Sequence, residues 1–212
     1  MNRAAIRIML VDDHAVVRAG FRRLLEQEPD MEVVAEADGG DRAYTLFVEH
    51  EPNVVVMDLT MPGVSGLEVI RRIIGRQPAA RILVFSMHED ATLAERAIQL
   101  GARGYVTKSN APEILTTAVG EVAAGKLYLS SDIATSIAIL KLTGDANPVK
   151  LLSARAFEIF RLLVAGRPVT EIARILNLSG KTIANYHTLI KQKLGVASDV
   201  ELVLVALRHN LL

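Results

Sequence analysis

The sequence predicts an α/β domain with a doubly wound, five-stranded parallel sheet, followed by a small all-α domain that contains a helix-turn-helix. Between residues 6 and 125, short apolar runs alternate five times with segments whose apolar residues recur at helical spacing. Parallel strands need crossover connections, and these carry helices that cover both faces of the sheet. After Pro148 only helical patterns occur, and 212 residues suffice for two domains of ordinary size.

Each element of the first domain is predicted from its own pattern. The first helix carries apolar residues at helical spacing, namely Val16, Val17, Phe21, Leu24 and Leu25. The last helix begins at a first-turn proline, Pro112. In chain order the predicted strands are IRIMLV, EVVAEA, NVVVMD, RILVFSM and GYVTKS, and the predicted helices are AVVRAGFRRLLEQ, DRAYTLFVEH, GLEVIRRIIG, DATLAERAIQLG and PEILTTAVGEVAAG.

The composition excludes several classes of protein. The chain has no cysteine, so disulfides and thiolate zinc sites are excluded, and the composition fits a reducing compartment. The N-terminus lacks the basic start and apolar core of a signal peptide. No apolar run approaches the roughly 20 residues of a membrane helix. We therefore expect a cytoplasmic protein with no membrane partner.

The formal net charge is zero, but the charge is distributed unevenly along the chain. Residues 148–212 carry 9 Lys and Arg against 4 Asp and Glu, whereas residues 1–147 carry 15 against 20. A basic part joined to an acidic part indicates that only one half meets an anionic polymer. Chance variation among solvated faces is the alternative, and charge alone leaves it open.

Polar residues follow several of the predicted strands. The first strand ends in Asp12 and Asp13, the third in Asp58, the fourth near Ser86 and the fifth near Thr107 and Lys108. The carboxyl edge of a parallel sheet is where open α/β folds place their ligands, so these groups should converge there. Three nearby carboxylates repel one another unless a cation joins them, and an all-oxygen site suits Mg²⁺ rather than zinc.

This set of residues, with Tyr105 in GYVTK, resembles the receiver domain of two-component response regulators, which has a flavodoxin-like fold. The resemblance implies that Asp58 accepts a phosphoryl group from a sensor histidine kinase. It also implies that Asp12, Asp13, Asp58 and the backbone carbonyl of Thr60 bind Mg²⁺, that Ser86 and Lys108 contact the phosphoryl oxygens, and that Tyr105 changes rotamer on activation. One departure is Ser109, where receivers often have proline.

Simpler interpretations exist for each residue taken singly. An aspartate after a strand is often a helix cap or a turn residue, and His14 is expected to cap or line the first helix rather than bind metal.

A phosphatase of the haloacid dehalogenase type also uses a strand-end aspartate with Mg²⁺. That chemistry requires a second aspartate two residues later, where this chain has Thr60. No GxxxxGK[ST] phosphate-binding loop is present.

The domain boundary is predicted near Pro148. Residues 125–147 are expected to form a linker with a short helix over 132–142 and a hinge over 144–148, because Gly, Asp, Asn and Pro favour turns. The predicted domains are therefore 1–124 and 148–212. In the second domain Ser153, Thr170 and Ser179 are each expected to cap a helix, and Gly166 and Gly195 to end one.

The helix over 180–194 has two distinct faces. Its inward stripe consists of Ile183, Tyr186, His187, Ile190 and Leu194. Small, amide and hydroxyl groups flanked by lysines suit a helix in the DNA major groove, although a solvated amphipathic helix would look similar. The predicted DNA contacts are Lys181, Thr182, Ala184, Asn185, Thr188, Lys191 and Lys193.

The segments LLSARAFEIFRLLVAG, EIARILNLSGKTI and KQKLGV resemble the LuxR-type DNA-binding domain of the NarL/FixJ response regulators. The tail SDVELVLVALRHNLL and Tyr186 are similar to the GacA/UvrY-like branch. The resemblance implies a transcription regulator, not an enzyme, that binds double-stranded DNA as a homodimer after phosphorylation. The competing class is a binding module without phosphorylation control, and a quorum-sensing receptor would lack the acidic cluster.

The last helix is expected to be a dimer contact. Six apolar residues occur in succession over 202–207, which covers every side of a helix, although a small domain can bury only one side. Coverage by the first domain or the linker is the alternative. Exposed apolar patches usually mark an interaction site, so pairing through this helix is the prediction.

Overall fold

The computed structural model describes residues 5–61, 63–87, 89–109, 112–142, 148–209 and 211. The chain forms two compact units, Met1–Leu140 and Lys141–Leu212. The predicted hinge at residues 144–147 lies outside the described residues, and Pro148 begins a short 3-10 helix that ends at Leu151.

The first unit alternates strands and helices as the sequence predicts, with ends that shift by one or two residues. Its strands are β1 (Ile6–Val11), β2 (Met31–Ala37), β3 (Val54–Met57), β4 (Ile82–Ser86), β5 (Gly104–Thr107) and β6 (Tyr128–Leu129). Its helices are α1 (Ala15–Leu25), α2 (Gly40–His50), α3 (Gly66–Arg76), α4 (Ala91–Gln99) and α5 (Pro112–Ala123), followed by α6 (Ser131–Leu142), whose last two residues belong to the second unit.

The sheet is parallel throughout, with the strand order β2-β1-β3-β4-β5-β6. This order confirms the doubly wound α/β class, because the chain runs outward from β1 to one edge and then returns to build toward the other. It also places the carboxyl ends of β1, β3, β4 and β5 side by side.

The sheet has six strands where the sequence predicts five. The sixth strand has only two residues and falls in the segment predicted as linker. It adds to β5 through hydrogen bonds from the Tyr128 amide to the Arg103 carbonyl and from the Ser130 amide to the Tyr105 carbonyl. A two-residue strand is too short to produce a periodic pattern, so the sequence gives no signal for it.

The core beneath the site is apolar and tightly packed. One face of the sheet buries Ile8, Leu10, Val54, Val56 and Phe85 against residues of α1 and α5. Phe21 of α1 meets Phe85 edge to face, with ring centroids 4.7 Å apart. These contacts fix the strands whose ends carry the polar residues.

The second unit consists of helices α7 (Ala154–Val164), α8 (Val169–Ile175), α9 (Gly180–Leu194) and α10 (Asp199–Arg208). The Ser153 and Ser179 hydroxyls accept hydrogen bonds from the Ala156 and Thr182 amides, which confirms both predicted caps. The Thr170 cap is wrong, because α8 begins at Val169 after Pro168 and Thr170 lies in its first turn. The fixed φ of proline starts this helix earlier.

Candidate functional site

Two carboxylates and one ammonium meet at the carboxyl edge of the sheet. Asp12 follows β1, Asp58 follows β3 and Lys108 follows β5. The Lys108 Nζ lies 2.5 Å from Asp12 Oδ2 and 2.5 Å from Asp58 Oδ2. Asp12 and Asp58 are 4% and 5% exposed, so all three charges are largely removed from water. The structure thus brings together three residues that are 46 or more positions apart in the sequence.

Burial and neighbouring charges shift the pKa values of Asp58 and Lys108 in opposite directions. Burial raises the pKa of the Asp58 carboxyl above its ordinary value, while the Lys108 ammonium and the Thr60 amide partly offset that rise. Burial lowers the pKa of Lys108, but the carboxylates of Asp58 and Asp12 outweigh it, so the pKa of Lys108 is raised. Lys108 is therefore charged at neutral pH, and one cation serves two buried acids. The cluster can accept further positive charge.

Asp13 follows Asp12 in the chain. The side chains of Asp12, Asp13 and Asp58 together are called the acidic pocket. Asp13 Oδ1 is buried and accepts no geometrically good hydrogen bond from the described residues, although His14 Nδ1 is 2.9 Å away. Ligating atoms of Asp12, Asp13 and His14 lie within 4.8 Å of one another. A buried carboxylate oxygen with unused acceptor capacity beside a second carboxylate fits a hard cation such as Mg²⁺.

His14 occupies the position before α1, but its side chain does not cap the helix. Its ring is instead directed to the two acids, 3.3 Å from Asp12 Oδ1 and 2.9 Å from Asp13 Oδ1. The side chain of His14 is 68% exposed, so the ring remains largely in contact with solvent. Of the two roles expected from the sequence, capping or lining the helix, capping is therefore wrong.

The remaining predicted site residues lie on β4, β5 and the turn after Asp58. The Thr60 amide donates to Asp58 Oδ1 at 3.2 Å, and the Lys108 amide donates to the Ser86 carbonyl at 2.8 Å. Ser86, the last residue of β4, and Tyr105, the second residue of β5, are fully buried. Gly66 packs against the Asp58 backbone, where an added Cβ would lie 2.3 Å from the Asp58 carbonyl oxygen. A side chain at residue 66 would therefore displace the strand end.

Ser109 makes contacts that the usual proline could not. Its hydroxyl donates to Glu89 Oε1 at 2.9 Å and contacts Thr107 Oγ1 at 3.0 Å. Thr107 in turn donates to Asp132 Oδ2 at 3.0 Å. Hydrogen bonds thus join the loop that carries Lys108 to the loop before α4 and to the first turn of α6. Sequence reasoning identifies neither Glu89 nor Asp132.

In the second unit, α9 presents the predicted polar face to solvent. Lys181, Ala184, Asn185 and Thr188 are exposed, whereas Ile183, Ile190 and Leu194 are buried. The flanking lysines have partners within the unit. Lys191 Nζ lies 2.7 Å from Asp199 Oδ1, which His187 Nε2 also contacts at 2.7 Å, and Lys193 Nζ donates to the Leu151 carbonyl at 3.1 Å. Three of the five residues of the predicted inward stripe are therefore buried, while Tyr186 and His187 are half-buried.

Comparison with known families matches both units. Residues 8–120 match the response regulator receiver domain, and residues 150–206 match the bacterial regulatory proteins of the luxR family. The fold and site therefore define a two-component response regulator with a receiver and a LuxR-type DNA-binding domain. None of the helices in the described parts of the chain has the length and apolar character needed to cross a membrane.

Similar proteins place the chain within a branch of that class. It is 38% identical to the response regulator UvrY of Escherichia coli over 208 residues, covering 97% of this chain and 95% of UvrY. It is 36% identical over 208 residues to the response regulator GacA of Pseudomonas viridiflava, covering 97% of each. The chain belongs to the NarL/FixJ family of response regulators, in the GacA/UvrY branch.

Solved structures of related regulators are also similar. A LuxR-family two-component response regulator from Aurantimonas sp. is 48% identical, with a TM-score of 0.64, over 66% of this chain and 99% of that one. RcsB from Salmonella enterica, bound to a promoter in the presence of the phosphomimetic BeF3-, is 29% identical with a TM-score of 0.68. That match covers 94% of this chain and 97% of RcsB.

Proposed function

We propose that this protein regulates transcription by taking a phosphoryl group from a sensor histidine kinase onto Asp58 and then binding promoter DNA as a homodimer. The observation that carries the proposal is the contact of Lys108 Nζ with both Asp12 and Asp58. A buried carboxylate held beside a fixed ammonium is suited to phosphoryl transfer, in which catalysis is mainly positioning and charge stabilisation. The proposed receiver spans residues 1–124, the linker 125–147 and the DNA-binding domain 148–212.

The transfer itself needs one nucleophile and one leaving group. An Asp58 oxygen forms a bond to phosphorus while the bond from phosphorus to the kinase histidine nitrogen breaks, and that nitrogen keeps the electron pair. Lys108 then turns from the ionised carboxylate toward the phosphoryl oxygens, and Ser86 offers a hydroxyl to another. Tyr105 is the aromatic residue whose rotamer reports the change. The chain acts as the acceptor and is not itself an enzyme in this scheme.

The acidic pocket is proposed to bind Mg²⁺ through Asp12, Asp13, Asp58 and the Thr60 carbonyl. When bound, the ion supplies positive charge to the phosphoryl oxygens. The residues favour this because the described cluster holds two buried carboxylates against a single ammonium, and Asp13 Oδ1 has unused acceptor capacity. The protein's own contribution is to keep these oxygens in place and largely out of water.

The proposed DNA contacts divide into two kinds. Asn185 and its exposed neighbours on α9 face outward and could reach base edges, as related helix-turn-helix proteins do. Lys181, Lys191 and Lys193 would contact phosphates, and Thr182, Ala184 and Thr188 line the same surface. Because Lys191 is paired with Asp199, a DNA phosphate must exchange with that carboxylate. DNA as the partner implies a cytoplasmic protein.

The function is tested by DNA binding of the full-length chain with and without acetyl phosphate in Mg²⁺. Bound genomic fragments are selected and sequenced, and affinity for a selected fragment is measured by fluorescence anisotropy. Phosphodonor should increase the affinity of the wild type by roughly 5- to 150-fold, the usual range of allosteric coupling, and leave Asp58→Asn unchanged. A wild type that binds no fragment under either condition, or binds equally in both, would contradict the proposal.

A further inference from the structure

Arg18 of α1 reaches back toward the acidic pocket. Its guanidinium Nη1 donates to the backbone carbonyl of Asp12 at 2.6 Å, and the side chain is 16% exposed. Arg18 also lines, with Asp12 and Asp58, a cavity of about 10 Å³ beside Phe21 and Phe85. That volume is at the lower limit for one water molecule, so little free space remains between these side chains.

This contact uses the last hydrogen-bonding group of Asp12. The Asp12 amide donates to the Ala37 carbonyl at 3.1 Å. Its Oδ1 accepts from the His14 amide at 2.8 Å, and its Oδ2 accepts from Lys108. The carbonyl that Arg18 holds belongs to the peptide between Asp12 and Asp13, so it fixes the orientation of the plane that joins the two acids.

A carboxylate of β2 forms an ion pair with Arg18, although Arg18 Nε makes no hydrogen bond of good geometry with the described residues. Glu36 Oε2 lies 3.4 Å from Arg18 Nε, and Glu36 Oε1 accepts from Arg22 Nη1 at 2.8 Å. Arg22 is on the same helix and shares the same acid, but its other contacts are with Val33 and Glu26, away from the acidic pocket. Arg22 is therefore a matched control for Arg18, because it carries the same charge beside the same acid but does not contact the Asp12 carbonyl.

We infer that Arg18 is a positioning residue for the proposed Mg²⁺ site, acting through the Asp12 carbonyl rather than by contact with the ion. This inference depends on the proposed function of the acidic pocket. Groups that hold metal ligands in place from the next layer typically change metal affinity by 10- to 100-fold when they are removed. Without Arg18 the Asp12–Asp13 peptide can rotate, and the two carboxylates no longer keep a common orientation.

The test is a titration of the full-length protein with MgCl2, followed by amide NMR shifts, in the wild type, Arg18→Ala, Arg18→Lys and Arg22→Ala. Arg18→Ala should weaken Mg²⁺ binding by about tenfold. Arg18→Lys should recover part of that loss, because an ammonium can donate to the carbonyl but lacks the second donor that faces Glu36. Arg22→Ala should bind Mg²⁺ like the wild type. Urea unfolding in EDTA checks that each variant is folded.

The outcomes distinguish a failure of the proposed Mg²⁺ site from a failure of the proposed role of Arg18. If the wild type does not bind Mg²⁺, the proposed function of the pocket fails. If the wild type binds but Arg18→Ala binds equally well, or Arg22→Ala loses as much affinity as Arg18→Ala, the role of Arg18 is refuted. Should Arg18→Ala not fold, Glu36→Gln replaces it, since that variant keeps the guanidinium but removes its orienting charge. Glu36→Gln should then weaken Mg²⁺ binding more than Arg22→Ala, and equal affinities would overturn the inference.

Discussion

At the residue scale, the site depends on one lysine shared by two acids. Lys108 holds Asp12 and Asp58 at 2.5 Å each, and all three side chains are 6% or 7% exposed. Removing one partner of a buried ion pair is strongly destabilising, because the charge left behind has neither water nor a counter-ion. Without Lys108, the carboxylates of Asp12 and Asp58 would both lack a counter-ion, so both would destabilise the fold.

Lys108→Ala should therefore lower the free energy of unfolding by about 3–5 kcal/mol in the absence of divalent cations. Mg²⁺ should restore part of the loss, since a bound cation would again neutralise the acids. Urea unfolding with EDTA and with MgCl2 measures both effects. The control is Lys126→Ala, whose ion pair with Glu121 is exposed and should contribute less than about 1 kcal/mol. Equal losses in the two variants would contradict the shared-lysine account.

The sequence predicts part of this site and misses the rest for a physical reason. Asp12, Asp58 and Lys108 could be brought together because the ends of parallel strands share one edge. The contacts of Arg18 with the Asp12 carbonyl and of Ser109 with Glu89 could not, since a helix or loop side chain that reaches a distant group leaves no periodic signal. These contacts depend on rotamers and loop paths that only the packed structure determines.

At the element scale, α10 shows how a run of apolar residues divides between two environments. Leu202, Val205 and Ala206 are buried, whereas Leu204 and Leu207 are 48% and 55% exposed. Val200 is 69% exposed and continues the outward stripe at spacings of four and seven residues. Half of the predicted apolar run is therefore core, and the other side forms a narrow exposed strip that can pair with a second copy.

Leu204→Glu should leave the domain folded and weaken binding to a paired DNA site by about tenfold, equivalent to roughly 1.4 kcal/mol. The reason is that a charge on the strip opposes burial of apolar surface between two copies. Anisotropy on DNA with two half-sites and with one half-site separates pairing from DNA contact. Leu202→Glu, at a buried position, should unfold the domain instead. Unchanged binding of Leu204→Glu to the paired site would exclude this strip as the contact.

At the scale of the whole molecule, the sequence predicts the two-part architecture and the order of the main elements. Strong patterns account for this success, because the five predicted strands are nearly continuous or alternating apolar runs and the helices between them repeat apolar residues at helical spacing. The failures are local. β6 has two residues, and the start of α8 is set by Pro168 rather than by the expected Thr170 cap. Pairing with β5 determines β6, and the backbone conformation of Pro168 determines the start of α8. Neither cause is visible in the side-chain pattern.

The central claim is that Asp58 receives the phosphoryl group, and the most direct measurement is to locate the label. Full-length protein is incubated with acetyl phosphate and MgCl2, the acyl phosphate is reduced to mark its position, and the modified residue is identified by peptide mass spectrometry. The mark should lie on Asp58 alone, require Mg²⁺ and be absent from Asp58→Asn. A mark on Asp12 or Asp13, or undiminished labelling of Asp58→Asn, would contradict the account.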